Sequence, residues 1–486
     1  MLAIISDLHI TDGTTGHMLP AGTMDLLCER LCDLAWRASW RADGSYRPID
    51  RVDLVLLGDT LDIVSSRRWL ASPCRPWDDH QSPAVIDTVS GIVEETLRTN
   101  VDAIRTLRAL ATEATVSLPP ATAAGQPVLE AEELPVAVCT HYMVGNRDWP
   151  LHVKGSQYDL IRHKITHHLG LVTPYNKPFP HEASECEQLA EALRRHRVLA
   201  RHGDIFDPLS FGDDRDAASL TDVLAIELIA RFGQHLESEM EGQISPATAA
   251  ALREIDQISP VLLVPAYLEC TLERTASAAV RNQIKRAWDY MVEQVLHLEI
   301  VGRIAQSSPI DLIDGLAAAL KFSRRDTHDW TGRTLAFLAG LRGAKSPSYA
   351  QHALAEADCR NRRARHIVYG HTHQHEIVPL DASHADGYVL SQTYFNAGTW
   401  RRSFQPTQTI AGHHELVAND SFSVLTFYQA DERSGRAHET WTGTLAPMAI
   451  DIAATQTPAA ATSPVRAPMR APQFAGGRSA AMSRGY

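Results

Sequence analysis

The chain has 486 residues, a formal charge of −12, and 44% hydrophobic against 21% charged residues. That composition can bury a sizeable core, and the acidic balance argues against a protein that coats nucleic acid, because such binding runs on lysine and arginine at phosphates. Seven cysteines with no Cys-x-x-Cys pair form neither a disulfide framework nor a thiolate zinc site, and they suit a reducing cytosol.

Residues Met1 to Ile5 run straight into a strand, without a charged leader or a cleavable apolar stretch. The apolar run Val261–Leu268 is too short to span a bilayer. A soluble cytoplasmic protein is the expectation.

Short apolar runs alternate with amphipathic stretches, which predicts an α/β sandwich. Five runs read as buried strands: Leu2–Ser6, Val52–Leu57, Val136–Val144, Arg197–Ala200 and His366–Tyr369. A sixth, Tyr394–Phe395, leads into the turn Asn396-Ala397-Gly398-Thr399. Helices are predicted over Gly22–Trp40, over Ser82–Glu113 with Pro83 after a capping serine, and over Gln157–Leu169 with Gly170 as the stop. From about Asp213 to Ser346 no strand is expected. One helix starts near Thr221 and stops at Gly233, and another starts at Ser245-Pro246. A third carries Ile284, Ala287, Trp288, Met291, Val292 and Val295 on one stripe. This stretch reads as a helical insertion, or cap, whose stripe packs its own core; the sharper alternative is an apolar wall for a substrate. Ser421–Gln429 and His438–Thr444 read as a hairpin. The resulting division is 1–212 and 347–446 for the two parts of the core, 213–346 for the cap, and 447–486 for a flexible Ala/Pro-rich tail.

Chemistry sits at the strand ends, the usual place for sites in such sheets. The five predicted strands end in Asp7-Leu8-His9, Gly58-Asp59-Thr60-Leu61-Asp62, Gly145-Asn146-Arg147-Asp148, His202-Gly203-Asp204 and Gly370-His371-Thr372-His373. Singly, each motif is as common in solvated turns. Together, imidazole and carboxylate suit borderline to hard divalent ions such as manganese, iron or zinc. A carboxylate can bridge two ions about 3.5–4 Å apart, which clamp the attacking and leaving oxygens of a phosphoryl transfer.

This run of motifs resembles the calcineurin-like metallophosphoesterases, whose signature is D-x-H, G-D-x-x-D, G-N-H-D, a histidine and G-H-x-H. The likeness covers about residues 1–210 and 365–445 and implies a four-layer α/β/β/α sandwich interrupted by the helical insertion. It implies one ion on Asp7, His9, Asp59 and His373, and a second on Asp59, Asn146, His202 and His371, with Asp59 bridging. Manganese is the first choice of metal, with iron or zinc as alternatives. Asn396–Thr399 resembles the N-x-G-[ST] turn near the end of that fold.

The chain departs at Arg147, where most relatives carry a histidine that helps the leaving oxygen depart. Arginine stays protonated and cannot act as a general acid, but its fork of donors can hold phosphate oxygens. The G-N-R-D variant followed by Trp149, and His202-Gly203-Asp204 followed by Phe206-Asp207, resemble the UDP-diacylglucosamine pyrophosphatases of lipid A synthesis. The resemblance implies hydrolysis of a phosphodiester or pyrophosphate bond, in a small-molecule or lipid-linked substrate, by a hydroxide bridging the two ions. Asn146, Arg147 and Asp59 would carry the chemistry, and Arg147, Arg401 and Arg402 would hold the substrate. The alternatives are a nuclease, a phosphomonoesterase or protein phosphatase, and a non-catalytic scaffold on the same fold.

Asp62, Asp148 and Asp204 read as supports for ligands, since ligating groups need such partners. His366 and His375 are expected at the surface, and His141, His167-His168 and His413-His414 as ordinary. Arg360, Arg362, Arg363 and Arg365 read either as a solvated basic face or as a funnel for anions.

Overall fold

The computed structural model describes residues 1–15, 19–212, 214–240, 242–307, 312–324, 348–385, 388–406 and 416–444. The predicted tail, His413-His414 and the end of the predicted insertion lie outside the described residues. The fold is mixed α/β. Nearly continuous apolar runs make β1 (Leu2–Ile5) and β2 (Arg51–Leu57), as strands covered on both faces require. They lie parallel to each other and to β3 (Ala137–Met143). The remaining main strands are β4 (Val198–Ala200), β5 (His366–Tyr369), β6 (His375–Ala385), β7 (Tyr388–Ala397), β8 (Ser421–Phe427) and β9 (His438–Thr444). One sheet has the order β9-β8-β1-β2-β3 and the other β4-β5-β7-β6.

Alternation along β1 shows how the strands are used. Leu2 and Ile4 join Val55, Leu57, Val198, Val368 and Phe395 in a buried cluster between the sheets. Ala3 and Ile5 join Met24, Leu27 and Leu31 of the helix Thr23–Ala38 on the opposite face. On the second sheet, Ile367, Tyr369 and Tyr394 pack against Ala353 and Cys359.

Between residues 214 and 324 the described elements are all helical. They close a separate core around Val223, Leu228, Leu268, Ile284, Trp288 and Val292, so the predicted stripe packs inside this helical layer. Three local expectations need correction. The helix does not stop at Gly233: Leu220–Val223, a π-helical stretch Leu224–Ala230 and Arg231–Glu239 run on without a break. Gly233 serves instead for close approach, since a Cβ there would lie 2.8 Å from the guanidinium of Arg67. The predicted Ser82–Glu113 helix is two, Pro83–Thr99 and Val101–Thr112, broken at Asn100, whose side-chain amide donates to Thr96 O and Thr11 O at 2.8 Å each. Among the described residues no helix is long and apolar enough to cross a membrane.

The third correction is His366, which is 2% exposed and not on the surface. As the first residue of a fully buried strand, it sits between the sheets, its ring 5.0 Å from Phe427 and 5.2 Å from His438. Burial, helped by His438 and Arg365, pushes its pKa down to about 2. Burial likewise takes nearby His196 down to about 4. The unfolded chain takes up these protons near pH 6.5 and the folded chain excludes them, so stability present above pH 6.5 is lost as pH falls. Each excluded proton costs about 1.4 kcal/mol per pH unit, or about 4 kcal/mol for the pair on going from pH 6.5 to 5. His366→Leu is expected to recover about half of that loss, read as the difference in urea-unfolding free energy between pH 7.5 and 5.

Candidate metal centre

The chain turns sharply as it leaves each of these strands. Asp7, His9, Asp59, His371 and His373 all adopt left-handed backbone, with φ of 57°, 47°, 49°, 69° and 59°. Asp and His tolerate this region better than most residues, yet each such residue stores about 1–3 kcal/mol of strain. The strain folds each side chain back toward a common point. His9 Nε2 lies 3.6 Å from Asp7 Oδ1, 3.7 Å from Asp59 Oδ2 and 3.0 Å from His373 Nε2. His373 Nε2 is 3.2 Å from Asp7 Oδ1. On the other side, His202 Nε2 is 3.3 Å from both Asp59 Oδ2 and Asn146 Oδ1, and His371 Nδ1 is 3.0 Å from Asn146 Oδ1. Six of the seven predicted ligands thus form two groups, Asp7/His9/His373 and Asp59/His202/His371, with Asn146 beside the second and Asp59 Oδ2 also 3.7 Å from His9 of the first.

Glycines make the convergence possible. A Cβ on Gly58 would lie 2.4 Å from His202 Nδ1, and one on Gly370 would lie 2.1 Å from Ser6 Oγ. One on Gly145 would lie 2.3 Å from Asp59 Oδ1 and 2.6 Å from the His202 ring.

On His202, His9 and His371 the nitrogen that faces away from the centre is held, whereas His373 Nδ1 has no hydrogen-bond partner among the described residues. His202 Nδ1 donates to Leu57 O at 3.0 Å, and His9 Nδ1 meets Asp62 Oδ2 at 3.2 Å. His371 Nε2 meets Asp207 Oδ2 at 3.1 Å. Such outer partners fix which nitrogen is presented to an ion. The carboxylates are held too. His371 N–H donates to Asp7 Oδ2 at 3.0 Å, and Arg147 N–H donates to Asp59 Oδ1 at 2.7 Å. Asp148 accepts from Gly145 N, Thr60 N and Tyr142 Oη, at 2.6, 3.0 and 2.6 Å, and so anchors the loop carrying Asn146. The turn Asn396–Thr399 clamps the backbone beside the centre: Thr399 Oγ1 donates to Asp7 O at 2.7 Å, and Asn396 Nδ2 to Gly370 O at 2.8 Å.

Three fully buried carboxylates, Asp7, Asp59 and Asp62, crowd this centre with no lysine among its lining residues. Burial opposes their ionisation, yet neighbouring histidines outweigh it and hold all three below the usual carboxylate range. In return, against the cost of burial, Asp59 and Asp7 raise His202 well above its ordinary value. Asp7 Oδ1 is buried with no hydrogen-bond partner among the described residues. A polar atom left so is costly unless something else satisfies it. Orphaned carboxylate oxygen, imidazole nitrogens and an amide oxygen together are a donor set for divalent cations.

The groups open onto a cavity whose far wall belongs to the helical layer and includes Thr221, Ile229, Ile255, Gln257, Ile258 and Val261. Arg147 and Arg401 line it. Arg147 Nη1 is buried without a hydrogen bond and lies 3.8 Å from Asp222 Oδ1, a fully buried carboxylate at the start of the long helix. Arg401 pairs with Asp256 and approaches Asp62 at 4.0 Å. Arg402 is a correction: it leaves the cavity and pairs with Asp420 and Glu254, each at 2.7 Å. Arg360, Arg362, Arg363 and Arg365 precede β5 and so sit at its opposite end from the centre; none lines the cavity. Asp204 pairs with Arg215 at 3.0 Å, and its charge adds to those that raise His202.

Sequence reasoning missed Asp207, Asp222, Asp256 and Gln257. Asp207 stood within a quoted motif, five residues after His202, and could have been found as a carboxylate near a ligand. The other three carry no local signal. Among the described residues neither end of the Gln257 amide has a hydrogen-bond partner, although the residue is only 1% exposed. No protein-family model and no curated protein sequence matches the chain.

Proposed function

We propose that the chain is a dinuclear metal-dependent phosphoesterase built on the four-layer calcineurin-like sandwich, and that it hydrolyses a phosphodiester or pyrophosphate bond. The observation that carries this reading is the pair of His/Asp groups joined through Asp59 Oδ2 on the floor of a cavity that two arginines line. Asp7, His9, Asp59 and His373 would hold one ion, and Asp59, Asn146, His202 and His371 the other. Manganese suits this oxygen-rich set, with iron or zinc as alternatives. Two divalent ions held there would lower the pKa of a bound water and neutralise charge on phosphoryl oxygens.

The chain's own residues do the rest. Arg147 presents an unsatisfied N–H where a phosphoryl or leaving oxygen would lie, and Asp222 orients it. A leaving group that is itself a phosphate needs little protonation, which fits arginine in place of an acid. Arg401 adds positive charge beside Asp62. Gln257 offers a donor and an acceptor to a polar part of the substrate. Ile229, Ile255, Ile258 and Val261 give the opposite wall an apolar character, which favours a substrate with an apolar arm, such as a lipid-linked phosphate.

The test is manganese-dependent hydrolysis of a nitrophenyl phosphodiester beside the matching monoester, with Asp59→Ala as control. The expected result is faster diester cleavage, abolished by the substitution. Preference for the monoester would sink the role given to Arg147, and turnover that survives Asp59→Ala would sink the metal centre.

A further inference from the structure

A second group of metal-capable side chains lies apart from the centre above, on three segments that the proposed reaction does not use. His152 ends the turn Trp149–His152, His181 follows Pro180, and Asp216 lies in the loop that leads to the helix beginning at Leu220. One ligand atom from each lies within 4.8 Å of the others. His152 Nδ1 faces Asp216 Oδ1 at 2.5 Å, and His181 Nε2 approaches the same oxygen at 3.8 Å. The two rings are 4.4 Å apart.

His181 shows what is missing. Its side chain is 3% exposed, and neither ring nitrogen has a hydrogen-bond partner among the described residues. An ion pair between His152 and Asp216 leaves His181 Nε2 only the 3.8 Å approach to the same carboxylate oxygen. A cation placed among the three would satisfy all of them. Tetrahedral zinc spaces its ligands about 3.3 Å apart, given bonds of about 2.0–2.1 Å. The two separations above straddle that value, and small side-chain rotations would reach it.

The surroundings suit such an ion. Glu185 Oε2 stands 3.6 Å from His152 Nε2, the nitrogen that faces away from Asp216, where a carboxylate orients a ligating imidazole. That same oxygen accepts from the His181 N–H at 2.8 Å, so Glu185 holds both histidine segments. Arg215, the nearest arginine in sequence, is engaged by Glu182 at 2.9 Å and Asp204 at 3.0 Å. Asp216 is 42% exposed, which gives an ion a way in.

We propose that His152, His181 and Asp216 form a separate mononuclear site for a borderline divalent ion, zinc above all, with Glu185 as the positioning carboxylate. Two imidazoles and one carboxylate match that ion class. The site ties the turn just after Arg147 to the loop just before Asp222, so an ion here braces Arg147 of the cavity wall and the carboxylate beside it. It does not rest on the phosphoesterase reading, because it shares no residue with the first centre.

The test strips the full-length chain with a chelator, reloads it with zinc or cobalt(II), and counts bound ions per chain. The wild type is compared with His152→Gln, His181→Gln and Asp216→Asn. Each variant is expected to hold one ion fewer than the wild type, with an unchanged circular dichroism spectrum. Cobalt-loaded wild type is expected to show the visible bands of a four-coordinate ion, and these weaken in each variant. His152 and Asp216 are partly exposed, so those variants report even where His181→Gln fails to fold. Equal ion counts in the wild type and in both of these variants would overturn the site and leave only an imidazolium between carboxylates.

Discussion

Replacing Gly145 by alanine is expected to empty the proposed metal centre and to cut turnover by about 10–100-fold, the loss seen when groups that orient metal ligands are disturbed. Gly145 does not need left-handed backbone, so the effect is one of space alone. A methyl group there would fall 2.3 Å from Asp59 Oδ1 and 2.6–2.7 Å from the His202 ring. Neither neighbour can move away freely. Asp59 Oδ1 also accepts from Arg147 N, and the His202 ring is tethered to Leu57 O. The shared carboxylate and a ligand of the second group would therefore shift together. The control is Gly302→Ala, in the helix Glu299–Ser307, where a Cβ meets nothing within 4 Å. That change is expected to leave metal content alone and to add about 0.5–1 kcal/mol of stability. The readouts are manganese per chain and hydrolysis of the nitrophenyl diester. Wild-type manganese content in Gly145→Ala would mean that Asp59 and His202 do not hold an ion in this arrangement.

The same crowding explains what could be read before the structure. Metal chemistry restricts the residue type at each ligand position, and a buried parallel strand restricts the pattern before it. Asp7, Asp59 and His371 each follow a run of Leu, Ile or Val, so strand end and proposed ligand announce one another. The glycines beside them were legible for the same reason. Asp222 and Gln257 were not, because each reaches the site from a segment whose local pattern has another purpose. Asp222 reads as an ordinary first-turn acid on a helix, and only packing turns it toward Arg147. Arg402 misled because two adjacent arginines carry no sign of which one faces inward. His366 misled because histidine is polar by composition, whereas the strand His366–Tyr369 is buried at all four positions. The strand His375–Ala385 went unseen because Pro379 and Asp381 interrupt its apolar pattern, at the place where its register shifts.

Arg147 and Asp222 make the second large expectation. Arg147→Ala should keep its metal and lose about 10²–10³-fold in turnover, the scale for one donor aimed at developing charge. Arg147→Lys should recover little, because a point charge does not replace a fork of donors. Asp222→Asn tests the positioning half of the argument. Burial raises the Asp222 carboxyl to about 7 even with Arg147 beside it. A folded-state pKa above the unfolded value means that the folded chain holds a proton the unfolded chain has released. Between about pH 4 and 7 the stability of the metal-free chain therefore falls as pH rises. Asparagine removes that penalty, and metal-free Asp222→Asn should be more stable than the wild type at pH 8, by about 1–3 kcal/mol. The loaded variant should nevertheless turn over about 10-fold more slowly, since Arg147 loses its only ion-pair partner among the described residues and aims less well. Higher stability with lower turnover identifies a carboxylate kept for aim at a cost to the fold. Unchanged turnover would place Arg147 in the cavity without help from Asp222, and loss of metal in either variant would return both residues to the ligand scaffold.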